Sequence, residues 1–155
     1  MLPSPYWITA AVTGATVIAC VFIHYEALHW ISDLIPTPKK NHRVRVAFLI
    51  VCLLIVHSIE IWIFGLAYYG LLHFDGFGIL VNMQDVTIFN CVYYSAVVFT
   101  TLGFGDIVPE GPIRLLTGTE AAAGLTFITW SASYTIVNMM RTWDDARSGR
   151  DEDAD

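Results

Sequence analysis

Residues Thr100-Thr101-Leu102-Gly103-Phe104-Gly105-Asp106 lie between two long apolar segments, and the chemistry they offer belongs to the backbone more than to side chains. A cation leaves water only where something replaces its hydration shell, and successive main-chain carbonyls aimed at one axis can do so. Glycines at alternate positions make such a ribbon possible. Gly103 and Gly105 can take the positive φ that turns consecutive carbonyls the same way, and the Thr101 hydroxyl adds an oxygen at one mouth. A Gly-rich turn is the bland alternative.

Ionisable side chains are rare in the apolar stretches, so each is informative. His57 and Glu60 sit one turn apart on the same helical face, and Glu120 falls about two turns into the last apolar segment. Such groups are costly at membrane depth and are candidates for function. One reading is a protonated or hydrogen-bonded carboxyl that ties helices together and supports the 100–106 string; the other is a proton-sensitive group behind it. His24, His29, His42 and His73 fall near the expected interfaces and read as snorkelling or solvated. Cys20, Cys52 and Cys91 lie in or beside three different apolar segments without metal-ligand spacing, which favours buried small residues over a disulfide or metal site.

These groups must be positioned by helices in a membrane. Of 155 residues, 55% are hydrophobic and 14% charged, which excludes an ordinary soluble domain and leaves room for one compact bundle. Residues 6–23 carry no charge and predict a first spanning helix, extendable through Trp30 before Pro36 and Pro38. Residues 46–74 predict a second. Asp75-Gly76-Phe77-Gly78 breaks it, and Asn82 or Asp85 offers a cap for the next. Residues 85–99 are apolar but too short to span, as suits a re-entrant half-helix that leads into the string. Residues 113–140 predict another spanning helix, and the acidic tail is too polar and short to fold alone. The expected fold class is an all-α membrane protein with three transmembrane helices plus a re-entrant pore helix and a selectivity-filter loop. Its parts are an N-terminal helix and connector (1–38), a pore domain (39–140) and an acidic cytoplasmic tail (141–155).

The string Thr-Thr-Leu-Gly-Phe-Gly-Asp resembles the selectivity filter of the pore-loop potassium channel family, and is similar to the second pore loops of two-pore-domain potassium channels. The resemblance covers about residues 44–140. It implies that Thr101, Leu102, Gly103 and Phe104, with Gly105 completing the segment, present the oxygens that bind K+. It also implies a homotetramer, because a ring of carbonyls around one axis takes four such segments. Tyr93, Tyr94 and Ser95 match the part of the pore helix that packs behind the filter, and Asp106, Glu60 and Glu120 are expected to support it. Phe104 stands where Tyr is commonest and Val97 where some prokaryotic members have Glu, which predicts fewer polar braces. Gly124 lies close to the position of the family's gating hinge, and is equally explained as a close-packing residue.

In this family the half-helix and filter enter from outside. The Lys and Arg residues are then all cytoplasmic except Arg114, as the positive-inside rule requires; Lys39, Lys40, Arg43 and Arg45 carry most of that bias. The N-terminus is expected outside, the C-terminus in the cytoplasm, and the whole in the cell membrane of a prokaryote. Asp75, Asp85, Asp106 and Glu110 would make the outer mouth acidic and concentrate cations. The resulting expectation is a potassium-selective channel and not an enzyme, without a cofactor besides the permeant K+, whose partners are its own copies and lipid and not nucleic acid. A weakly selective monovalent cation channel is the alternative within the class. From another class comes a membrane-embedded metal or haem protein using His24, His57 and Glu60, ranked lower because metal sites normally use clustered ligands.

Overall fold

Where water is absent, a chain satisfies its backbone most simply as an α-helix, and the long apolar runs do so. The computed structural model describes residues 3–34 and 42–152, with side chains described for 3–34 and 44–140. Helix α1 spans Ser4–Leu34, α2 His42–Leu72, α3 Ile88–Phe99 and α4 Arg114–Glu152. Both α1 and α2 are long and apolar enough to cross a bilayer. Helix α4 is longer, but its Thr and Ser residues and the run of charged residues from Arg141 to Glu152 keep its hydropathy lower. Lys39 and Lys40, with Pro36 and Pro38, lie outside the described residues, as does the side chain of Arg43.

Two boundaries differ from expectation for local reasons. The cap of α3 is Thr87, whose Oγ1 accepts from Asn90 N at 3.2 Å, and neither Asn82 nor Asp85. Asn82 is instead held at φ 69° and sends its side chain to the loop after α3. At the other end, α4 does not stop near residue 140 but runs to Glu152, into the segment expected as a solvated tail. Extending an existing helix avoids the cost of nucleating one.

A short clasp, not anticipated from sequence, closes the loop between α2 and α4. Strand β1 (Ile79–Val81) pairs antiparallel with β2 (Val108–Glu110), in the register Ile79 with Glu110, Leu80 with Pro109 and Val81 with Val108. A two-stranded ribbon has free edges, so Pro109 costs it no interior ladder bond. Gly78 has φ 110°, and a Cβ there would lie 2.1 Å from Glu110 O, so the clasp forms only with glycine at its entry. The clasp joins the chain just before α3 to the chain just after the 100–106 string.

The burial pattern is that of a protein surrounded by hydrocarbon. Trp7, Phe22, Leu54 and Ile55 are all more than half exposed, whereas Thr9, Thr13, Thr16, His24, Glu60, Ser95, Glu120 and Ser131 are buried. Polar groups gather where helices meet because nothing outside can satisfy them. Apolar packing fills the rest: Phe64, Tyr68, Tyr94, Phe99, Leu116 and Phe127 form the core around α3, and Leu28, Ile31, Leu49, Leu53 and Val56 join α1 to α2.

Two glycines let α2 and α4 close on α3 from either side. A Cβ at Gly65 would lie 2.6 Å from Val92 Cγ2, and one at Gly124 2.1 Å from Phe99 O. Gly124 sits within an unbroken α4, and its contact is of the close-packing kind. We predict that Gly65→Ala and Gly124→Ala each destabilise the folded chain by about 1–3 kcal/mol, the usual range for an overpacked contact. Gly14→Ala, where no atom lies within 4 Å, should melt no lower than wild type. Thermal unfolding in detergent checks this, and an undiminished melting temperature for Gly124→Ala would show that α4 does not pack on the end of α3.

Candidate functional site

The string 100–106 starts where α3 ends. Thr100 caps the helix in the right-handed region, at φ −79° and ψ −1°. The next amides turn back to the last helical carbonyls: Thr101 N to Val98 O at 2.9 Å and Leu102 N to Val97 O at 3.0 Å. The amides at the start of the string are thus spent on α3, which also directs its partially negative end at the loop, favourable to a cation.

Beyond the cap the backbone alternates. Thr101, Gly103 and Gly105 have φ of 56°, 57° and 76°, so every second residue is left-handed. At Gly103 and Gly105 a Cβ would meet no atom within 4 Å; glycine is required there by conformation rather than by space. Thr101 holds the same region at a steric cost, the kind of local strain that persists where surroundings enforce it. Leu102 and Phe104 are 58% and 64% exposed, so their side chains are not packed away within their own chain.

The far end of the string is braced through Asp106. Tyr93 Oη donates to Asp106 Oδ2 at 2.7 Å, and Asn82 Nδ2 donates to Asp106 O at 3.1 Å. Phe104 cannot supply a hydroxyl, but Tyr93 on α3 does, so one polar brace is present where fewer were expected.

Behind α3 lies a buried carboxyl. Glu120 Oε1 is 2.5 Å from Ser95 Oγ, and its Oε2 accepts from Tyr68 Oη at 2.6 Å. Ser95 Oγ also lies 2.9 Å from Ile61 O. One hydroxyl proton cannot go to both acceptors; with a proton on Glu120, the carboxyl donates to Ser95 and Ser95 to Ile61. Tyr94 stacks edge-on against Tyr68 with centroids 5.0 Å apart, and its Oη lies 3.2 Å from Thr117 Oγ1. Glu120 therefore ties α4 to α3 and α2 at once.

Glu60 makes the corresponding knot with α1. Its Oε1 lies 2.8 Å from His24 Nδ1 and its Oε2 2.9 Å from His57 Nδ1. His24 corrects the sequence expectation: it is fully buried, neither snorkelling nor solvated, because α1 is long enough to carry it well inside the bundle. His29 and His73 are exposed, and the His42 side chain lies outside the described residues. Cys20 and Cys91 are buried and free, and Cys52 is partly buried.

The structure thus brings Tyr93 to Asp106, Ser95 to Glu120 and His57 to Glu60. Sequence reasoning missed Tyr68, Asn82 and Thr117, and it misjudged His24. A usable signal existed for the last: Thr9, Thr13, Thr16, Cys20 and His24 recur at helical spacing on the buried face of α1, a stripe of small and polar residues in an otherwise apolar helix. Asn82 gave no signal, since its partner is a backbone carbonyl brought near by the clasp.

Helices that bury their polar groups and expose apolar ones, around a short helix ending in a loop of alternating backbone, define an integral membrane protein of the channel class. Residues 47–141 match the family model described as Ion channel, and since this is more than half of the chain, the protein belongs to that family. No curated protein and no solved structure matches it.

Two variants separate the braces. Ser95→Ala removes the buried hydroxyl that bonds Glu120 and Ile61 O and should lower stability by about 1–3 kcal/mol. Tyr93→Phe removes only the bond to Asp106; melting should stay near wild type while ion flux decays severalfold faster during sustained conduction. Thermal melting and a liposome flux assay on both proteins check this, and an unchanged flux time course in Tyr93→Phe would remove Asp106 bracing from the account.

Proposed function

We propose that the protein conducts K+ selectively and passively through a pore formed by four copies of the chain. The observation that supports this most is the left-handed alternation at Thr101, Gly103 and Gly105, directly after a helix whose end takes up the loop's first amides. Carbonyls of Thr101, Leu102, Gly103 and Phe104 would replace water around the ion. One chain supplies one such ribbon, and a coordination shell closed from all sides needs several around an axis. The exposed Leu102 and Phe104 fit a loop that meets neighbouring copies. Helix α4 then acts as the third spanning helix and lines the pore with hydroxyls such as those of Thr126 and Thr129, which bond back to carbonyls four residues earlier. Gly124 remains a candidate point of bending during gating.

The orientation that suits this reading has the N-terminus outside and the C-terminus in the cytoplasm of a prokaryotic cell, with Asp75, Asp85, Asp106 and Glu110 around the outer mouth. The Phe104 side chain adds no hydroxyl of its own to the Tyr93–Asp106 brace, and this favours a second reading, a less selective monovalent cation channel.

In proteoliposomes, K+ flux should exceed Na+ flux by at least tenfold, and Gly103→Ala or Gly105→Ala should abolish it without preventing assembly, since a Cβ disfavours positive φ. Equal fluxes of the two ions select the second reading; selective flux through either variant refutes the filter assignment. Native mass spectrometry should find four chains, and terminal reporter fusions should find the C-terminus in the cytoplasm; a stable dimer or trimer as the conducting form, or an external C-terminus, would overturn the corresponding part.

A further inference from the structure

Between α1, α2 and α4 lies a side-chain cluster that is not part of the 100–106 loop. We propose that His24, His57 and Glu60 form a binding site for a divalent transition-metal ion of the zinc or copper class, which clamps α1 to the helices around the pore. One imidazole nitrogen from each histidine and a carboxylate oxygen lie within 4.8 Å of one another. Two imidazoles and a carboxylate are a donor set for such ions. A tetrahedral zinc with bonds of about 2.0–2.1 Å sets its ligand atoms roughly 3.3 Å apart, so small rotations of two rings and one carboxyl admit the ion.

The cluster is already organised for this. Both oxygens of Glu60 face an imidazole Nδ1, at 2.8 and 2.9 Å, so the carboxylate lies between the two rings with one nitrogen of each already beside it. His24 and Glu60 are fully buried, while the His57 side chain keeps 15% exposure and offers the side of entry. Coordination through Nδ1 leaves each ring's proton on Nε2, and for His24 the Ser131 hydroxyl stands 3.4 Å from that nitrogen as an acceptor. Such an outer hydrogen bond fixes the tautomer a ligating histidine needs. The rings of Phe127 and Trp130 lie with centroids 5.2 and 5.0 Å from the His24 ring and pack it in place. Three protein ligands leave a fourth position for water. Because His24 also touches α4 through Ser131 and Phe127, the occupied site joins α1, α2 and α4.

The test uses the full chain in detergent, stripped with a chelator and then given Zn2+ or Co2+. About one Zn2+ per chain should survive desalting, and Zn2+ should raise the melting temperature. Co2+ should give visible ligand-field bands without a thiolate charge-transfer band. Glu60→Gln and His24→Gln should weaken Zn2+ binding at least tenfold, while His29→Gln and His73→Gln should not. The proposal is overturned if the wild-type protein retains no Zn2+ and gives no Co2+ bands, which would leave a hydrogen-bonded carboxylate and nothing more. It is equally overturned by a thiolate band, which would move the ion to a cysteine, or by undiminished affinity in a folded Glu60→Gln protein. Should both variants fail to assemble, the wild-type Co2+ spectrum decides alone.

Discussion

A backbone segment held at alternating left-handed φ cannot keep that shape by itself, and residues 100–106 are such a segment. Its first amides are spent on α3, and its alternating φ values are ones that a free chain would leave. Its shape must come from what surrounds it. Helix α3 anchors one end, the β1–β2 clasp and Asn82 hold the chain on either side, and Tyr93 fixes Asp106 at the far end. The two elements that look incidental, a three-residue strand pair and a tyrosine hydroxyl, matter because the loop has so few bonds of its own.

Helix α3 must be fixed in turn, and here hydrophobic burial offers little discrimination, since the surroundings of the bundle are as apolar as its core. Shape and polar contact carry the specificity. Gly65 and Gly124 let two helices approach the α3 backbone, and Glu120 reaches across to Ser95 on α3 and Tyr68 on α2. Glu60 repeats the device one layer out, through His57 on its own helix and His24 on α1. A buried carboxyl left without partners would be expensive at this depth, so each of these contacts resists separation of the helices it joins. His57 lies tilted against Phe99 with ring centroids 5.8 Å apart, which connects the Glu60 knot to the end of α3. The buried side chains therefore form one connected system, from α1 to the start of the 100–106 loop.

Sequence alone determined the helices, because the physics behind them is local. Charge-free apolar runs must form hydrogen-bonded helices in a bilayer, a run of about a dozen residues cannot span it, and glycines at 103 and 105 mark backbone that other residues avoid. The pairing of Glu60 with His57 was legible for the same reason, being set by one helical turn. The partners of Ser95 and Glu120 were only half legible: both residues stood out by type, but nothing in their spacing on different helices joins them. Tertiary structure alone decided the contacts that cross between elements. Asn82 meets Asp106 because the clasp brings their segments together, Tyr68 meets Glu120 because two glycines let helices close on α3, and His24 leaves the expected interface because α1 carries it against α2 and α4. Local periodicity says which face of a helix is unusual; only the packed bundle says what that face meets.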